Sequence, residues 1–296
     1  MQFKRSARPT SSVTGVAALT AAVIGGVAGA SPSAAAATSA HSATSQKAAD
    51  TAADNAPGKS SRQTAEGPFA RLYPRPQSAK ARGEEVRVTP TVTVVAGSGA
   101  DRYALETVRT ALRVAGARQV TNAAPGEGLP GSGLVVFVGG PGAEAALRAL
   151  KAGPVGDLPP GGYLLATGRD GGRDVIALVG ADPAGEFHAA QTLRLLGKEG
   201  SFPGAVIRDW PAAAVRGIVE GFYGKPWSQQ ERLAQLDFLG RTKQNRYLYA
   251  PGGDPYRQAQ WRKGYPKAQR DQIRTLAARA ARNHVTFAWA VAPGQT

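Results

Sequence analysis

Arg216-Gly-Ile-Val-Glu-Gly-Phe-Tyr-Gly-Lys-Pro-Trp227 is the stretch on which the reading of this chain depends. Gly217-Ile218-Val219 is short, β-branched and apolar, as a buried parallel strand is. Glu220, Gly221, Tyr223 and Gly224 follow where such a strand gives way to a loop. Pro226 and Trp227 then lead into Ser228-Gln-Gln-Glu231, a capping box that opens a helix. A carboxylate and glycines therefore sit just past the carboxyl end of a strand, the face on which α/β barrels carry out their chemistry.

Downstream the rhythm repeats. Leu233, Leu236 and Leu239 stack on a helix over 229–239, and a second strand covers Arg246 to Ala250. A loop through Gly252-Gly253-Asp254-Pro255-Tyr256 leads to a helix starting near Pro266. Its apolar face is Ile273, Leu276, Ala277 and Ala280, and Asn283 is its C-cap. The third strand is Val285 to Val291, ending in Ala292-Pro293-Gly294. Closing a TIM-type (β/α)8 barrel takes eight parallel strands and about 250 residues, so 208–296 is expected to form an incomplete one. Because an open parallel sheet exposes an apolar edge, the expectation is of a fragment, a truncated product or a frameshifted copy.

Upstream, strands and helices interleave over 69–207. Thr91 to Val95 and Leu134 to Val138 read as strands, while Leu105, Val108 and Leu112 lie on a helix stopped by Gly116. A short helix spans 143–150. Tyr163 to Thr167 and Asp174 to Val179 flank Gly168-Arg-Asp-Gly-Gly172 as a hairpin. Another helix runs from Phe187 to Leu196. This is a small mixed α/β domain. Val206 to Pro211 reads as a connector, in which Asp209 is favoured as a structural hinge contact over a functional acid.

The amino terminus carries Lys4, Arg5 and Arg8 ahead of an apolar run from Val13 to Ala30 and several small-x-small sites. Residues 1–37 read as a secretory signal peptide and the protein as secreted. A membrane anchor is disfavoured because the run is short, rich in Ala and Gly, and broken by Thr20. Residues 38–68 hold almost no large apolar side chain and read as a disordered linker. With no Cys, disulfides, thiolate metal sites and a cysteine nucleophile are excluded. The net charge of +15 favours acidic partners, but the basic residues are scattered, so no nucleic-acid partner is expected. Polyanionic glycans or cell-wall polymers suit such a surface.

Several motifs lead nowhere. Val138-Gly-Gly-Pro-Gly142 lacks the G-x-G-x-x-G spacing and reads as a plain βα turn. His41, His188 and His284 are too far apart to announce a metal cluster, and no cofactor is expected. Trp261, Trp289, Tyr247 and Tyr249 read as core in preference to a sugar-stacking platform. Glu220 reads as structural, held by arginine or backbone donors.

Gly221-Phe-Tyr-Gly224, Pro226-Trp227, Tyr247-Leu-Tyr-Ala-Pro251, Asp254-Pro-Tyr256, Trp261 and Pro293-Gly294 together resemble the start of the catalytic barrel of glycoside hydrolase family 84. These are β-N-acetylglucosaminidases, also called O-GlcNAcases or hyaluronidases. Pro74, Pro76-Gln77, Gly162-Tyr163-Leu164, Gly185, Gln191-Thr192-Leu193 and Arg208-Asp-Trp-Pro211 resemble the supporting domain ahead of the barrel in families 84 and 20. Glycoside hydrolysis usually takes two carboxyl groups at the bond being broken. The resemblance implies a retaining, substrate-assisted reaction on terminal β-linked N-acetylglucosamine in glycans or glycoconjugates. One carboxylate orients the 2-acetamido group and the other serves as acid and base. In the family both are adjacent aspartates after the fourth strand, and no residue up to Thr296 corresponds to them. No catalytic residue is therefore assigned, and no turnover of a 4-nitrophenyl N-acetyl-β-glucosaminide is expected from this polypeptide. Substrate binding is assigned by resemblance to Gly221, through its backbone carbonyl, with Tyr223 beside the same pocket and Asp254 on the rim. Gly252 stands where the family has a sugar-binding lysine. Losing such a charged hydrogen bond costs about 1.5–3 kcal/mol, which leaves a non-catalytic glycan-binding remnant as the alternative.

Overall fold

The computed structural model describes residues 67–221 and 224–293. The signal-peptide reading over 1–37, nearly all of the linker reading, Phe222-Tyr223 and Gly294 lie outside them. In chain order the strands and helices are β1 (Ser78–Ala81), β2 (Val86–Arg87), β3 (Thr91–Ala96), α1 (Arg102–Val114), β4 (Gln119–Ala123), β5 (Val135–Val138), α2 (Gly140–Ala149), β6 (Tyr163–Asp170), β7 (Arg173–Gly180), α3 (Pro183–Leu196), β8 (Ser201–Phe202) and β9 (Ala205–Asp209). They are followed by β10 (Gly217–Glu220), α4 (Gln229–Arg241), β11 (Arg246–Tyr249), α5 (Lys267–Arg282) and β12 (Thr286–Trp289).

The first group builds a 7-stranded mixed sheet ordered β1-β9-β6-β7-β5-β3-β4. Period-two alternation splits its residues between two cores. Val92, Val94, Val136, Leu165, Ile176 and Ile207 face α1 and α3. Leu164, Ala166, Val175 and Ala177 face α2 through Ala143 and Leu147. The hairpin β6–β7 turns on Gly171 and Gly172, both with positive φ (57° and 84°), the pattern of a tight turn that matches strand twist. Ala205–Asp209, read from sequence as a connector, is a strand: β9 pairs with β1 and β6, both antiparallel.

The second group is a separate 3-stranded parallel sheet, β10-β11-β12. Gly217, Arg246 and Thr286 are register partners at one end, and Glu220, Tyr249 and Trp289 at the other. One face packs on α4 and α5: Tyr247 and Tyr249 meet Leu236, Leu239, Leu276 and Ala280, with Ile218 and Phe287 alongside. Ala277, expected on the apolar face of α5, is exposed instead. On the opposite face Val219 is 60% exposed, so that side of the sheet is uncovered. The expected capping box is present: Glu231 N–H donates to Ser228 Oγ at 3.2 Å, and Ser228 N–H to Glu231 Oε2 at 2.6 Å. Asn283 caps α5 as the sequence predicts.

Candidate functional site

The carboxyl ends of β10, β11 and β12 terminate in register at Glu220, Tyr249 and Trp289, and their side chains are joined by one chain of contacts. Glu220 is 1% exposed. Arg232, one turn into α4, donates to it through Nη2 at 2.7 Å and through Nε at 3.0 Å to both carboxylate oxygens. Tyr247 Oη donates to Glu220 Oε2 at 2.5 Å. A buried carboxylate is tolerated only with such partners. The phenol of Tyr247 is correspondingly pushed far above its ordinary range, first by burial and then by the carboxylate it must donate to. Glu220 is thus a strut, as its sequence context implied.

The contacts continue outward. The Arg232 guanidinium lies 5.1 Å from the centre of the Tyr249 ring. Asp254 accepts from Tyr265 Oη at 2.6 Å and from the backbone N–H of Tyr256 at 2.9 Å. Trp289 Nε1 donates to Tyr265 Oη at 3.0 Å. Burial, then the Asp254 carboxylate, also raises the Tyr265 phenol well above its usual range. A cleft of about 260 Å³ opens beside this chain, lined by Trp227, Arg232, Tyr249, Gly252, Asp254 and Tyr265 among others.

Of the residues assigned to binding from sequence, Asp254 lines this cleft, half-buried and with oxygens still able to accept from a ligand hydroxyl. Gly221 lies at the exposed end of β10 and is not part of the cleft lining. A Cβ there would meet Val219 Cγ1 at 3.3 Å and Ala250 O at 4.0 Å, so packing within the chain asks little of this glycine. Tyr223 falls outside the described residues. Gly252 is exposed on the cleft wall and offers no side-chain donor where the resemblance implies a lysine. Among the aromatic residues read as core, Tyr247 and Tyr249 are buried, Trp261 is half-buried and Trp289 is 39% exposed. No group of three metal-ligating side chains occurs among the described residues.

Two buried cations escaped the sequence reading. Arg257 is buried and joins the β11 and β12 ends, donating to Pro251 O and Ala290 O, both at 3.0 Å. Lys243 is buried at the other end of the sheet, where its Nζ donates to Asp209 Oδ2 and Tyr163 Oη, both at 2.7 Å. Asp209 is therefore the structural contact expected of it.

This arrangement can orient hydroxyl groups over the strand ends. It holds no pair of free carboxyl groups for proton transfer, since Glu220 is neutralised by Arg232 and Asp254 is the remaining acid of the chain of contacts. Comparison with known proteins gives the setting. Residues 216–296 match the family described as beta-N-acetylglucosaminidase, and residues 70–210 match glycosyl hydrolase family 20, domain 2. Protein O-GlcNAcase of Rattus norvegicus is 37% identical over 78 residues, which is 26% of this chain and 8% of that relative. The solved structure of CpGH84B is 28% identical with a TM-score of 0.63, over 75% of this chain and 37% of that one. CpGH84D, at 21% identity and a TM-score of 0.65 over 74% and 37%, shares the fold. These matches liken the two parts of the chain to glycosidases of the β-N-acetylglucosaminidase type. More narrowly, the chain is family 84-like, pairing a supporting domain with part of the domain that follows it, and it spans only a minor share of the relatives it matches.

Proposed function

We propose that this chain is the amino-terminal part of an exported, retaining β-N-acetylglucosaminidase that uses the substrate's own acetamido group. In this reading β10, β11 and β12 are the first strands of a (β/α)8 barrel, and the amino sugar rests over their carboxyl ends. Gly221 accepts a sugar hydroxyl through its carbonyl and Asp254 accepts a second hydroxyl at the rim, with Tyr223 assigned to the same sugar by the family resemblance alone. The observation that carries the reading is the common termination of three parallel strands at Glu220, Tyr249 and Trp289, braced from behind by Arg232 and Tyr265. Strand ends of this kind are where barrel enzymes place their ligands. The uncovered face carrying Val219 supports the barrel reading, because a barrel interior is filled by side chains of further strands.

Residues 1–296 hold no counterpart of the aspartate pair, so the chain contributes binding groups and scaffold but no proton-transfer group. The 296-residue polypeptide is accordingly expected to release no 4-nitrophenol from its N-acetyl-β-glucosaminide. Turnover that survives repurification would overturn this division of labour. Gly252 favours the second reading, a glycan-binding remnant with weakened grip. A Gly252→Lys variant separates the two, since the rim geometry of an enzyme gains affinity for N-acetylglucosamine on regaining a donor. For export, a processed amino terminus in the culture medium is the expected result.

A further inference from the structure

A second cavity, of about 210 Å³, lies at the opposite end of β10, between the supporting sheet and the segment that enters the second sheet. Pro74, Trp210 and Pro211 form part of its wall, and Gln77, His188 and Lys243 bring polar groups to it. Trp210 is 37% exposed. His188 is 4% exposed, and its Nδ1 is fixed at 2.9 Å from Gly161 O, which makes Nδ1 the donor. Nε2 is then left as a lone-pair acceptor with no hydrogen bond among the described residues. Desolvation, followed by the charges of Lys243 and Arg216, drops the His188 pKa to about 4, so the ring is neutral and stays an acceptor at physiological pH.

Lys243 supplies the complementary donor. Two of its three N–H groups are engaged by Tyr163 and Asp209, and the third has no hydrogen-bond partner among the described residues. Its backbone adopts φ 58°, the left-handed position after a helix that ordinarily takes glycine. The two buried bonds of its ammonium hold it there against that preference. An unpartnered acceptor and a spare charged donor beside an indole and two proline rings is the complement of a hydroxylated ring with an apolar face. The volume exceeds that of a single water, about 30 Å³, and falls below the roughly 300 Å³ at which drug-sized pockets begin.

We propose that this cavity is a carbohydrate subsite taking one pyranose ring, stacked on Trp210, with vicinal hydroxyls bridging His188 Nε2 and Lys243 Nζ. It lies at the amino-terminal ends of the strands and stands independently of the site proposed at their carboxyl ends. A subsite here would hold a remote unit of an extended or branched glycan.

Ligand-observed NMR on the full chain with methyl β-glucoside, which lacks the acetamido group of the sugar proposed for the strand ends, tests it. Saturable binding in the range of about 1–10 mM is expected, weakened at least about tenfold in Trp210→Ala. Trp210 is partly exposed, and an unaltered melting curve shows that its variant folds. His188→Phe, which fills the cavity without an acceptor, gives the same loss where it folds. A cavity that holds water only would show no saccharide signal at about 50 mM, and that overturns the proposal. So does a methyl β-glucoside signal that persists in Trp210→Ala.

Discussion

Glu220 and His188 are two buried titratable side chains whose surroundings dictate measurable behaviour. The buried Glu220 side chain has its hydrogen-bond partners in Arg232 and Tyr247. Arg232→Ala strands that carboxylate and is expected to cost about 3 kcal/mol in urea unfolding, while Glu220→Gln in the same background restores part of it. A loss under about 1 kcal/mol for the single variant would show that the pair is not desolvated. His188 behaves in the opposite sense. Its folded pKa of about 4 lies below the unfolded value of 6.5, so between them the unfolded chain binds more protons. Stability is therefore full above about pH 6.5 and falls as pH drops toward 4, by at most about 3 kcal/mol from this residue. The charges that reinforce the effect are Lys243, Arg216 and His284. Urea midpoints at pH 7 and pH 4.5 should converge in a folded His188→Gln variant; an unchanged gap would assign the acid sensitivity to other groups.

At the scale of elements, the β10-α4-β11-α5-β12 succession was readable because each piece carried a local signal. The apolar runs, the Ser228–Glu231 box and the Asn283 cap are short-range features that need no knowledge of the rest of the fold. β4 and β9 were not readable for the converse reason. Gln119–Ala123 is a polar edge strand that exists by pairing with β3, and Ala205–Asp209 runs from three apolar residues straight into two charged ones beside a proline-containing connector. Lys243 and Arg257 were equally hidden, since a cation near a helix end or in a loop looks solvated until a distant acid or carbonyl is brought to it. Gly217 gives the element-level prediction. A Cβ there would sit 1.8 Å from Arg246 O, so β10 and β11 approach this closely only with glycine at that position. Gly217→Ala is expected to destabilise the second sheet by about 3 kcal/mol, with selective loss of amide protection in Ile218–Glu220. Protection left intact would mean that the strands can part without separating.

For the molecule as a whole, the two sheets are tied by a few specific contacts. Lys243 reaches Asp209 and Tyr163, and His284 Nε2 lies 3.1 Å from Asp101 Oδ1 with its ring 4.9 Å from that of Phe187. The supporting domain thus grips the feet of the parallel strands and leaves their carboxyl ends open. The residue reading gave Glu220 its arginine brace, but not the Tyr265 link that joins Asp254 to Trp289. In the proposed function this end holds an amino sugar. Calorimetric titration of N-acetylglucosamine into the chain carrying Trp210→Ala, which silences the second cavity, addresses it directly. Weak saturable binding, reduced about tenfold by Asp254→Ala and not shared by galactose, is the predicted result. Absence of binding, or binding indifferent to Asp254, would contradict it.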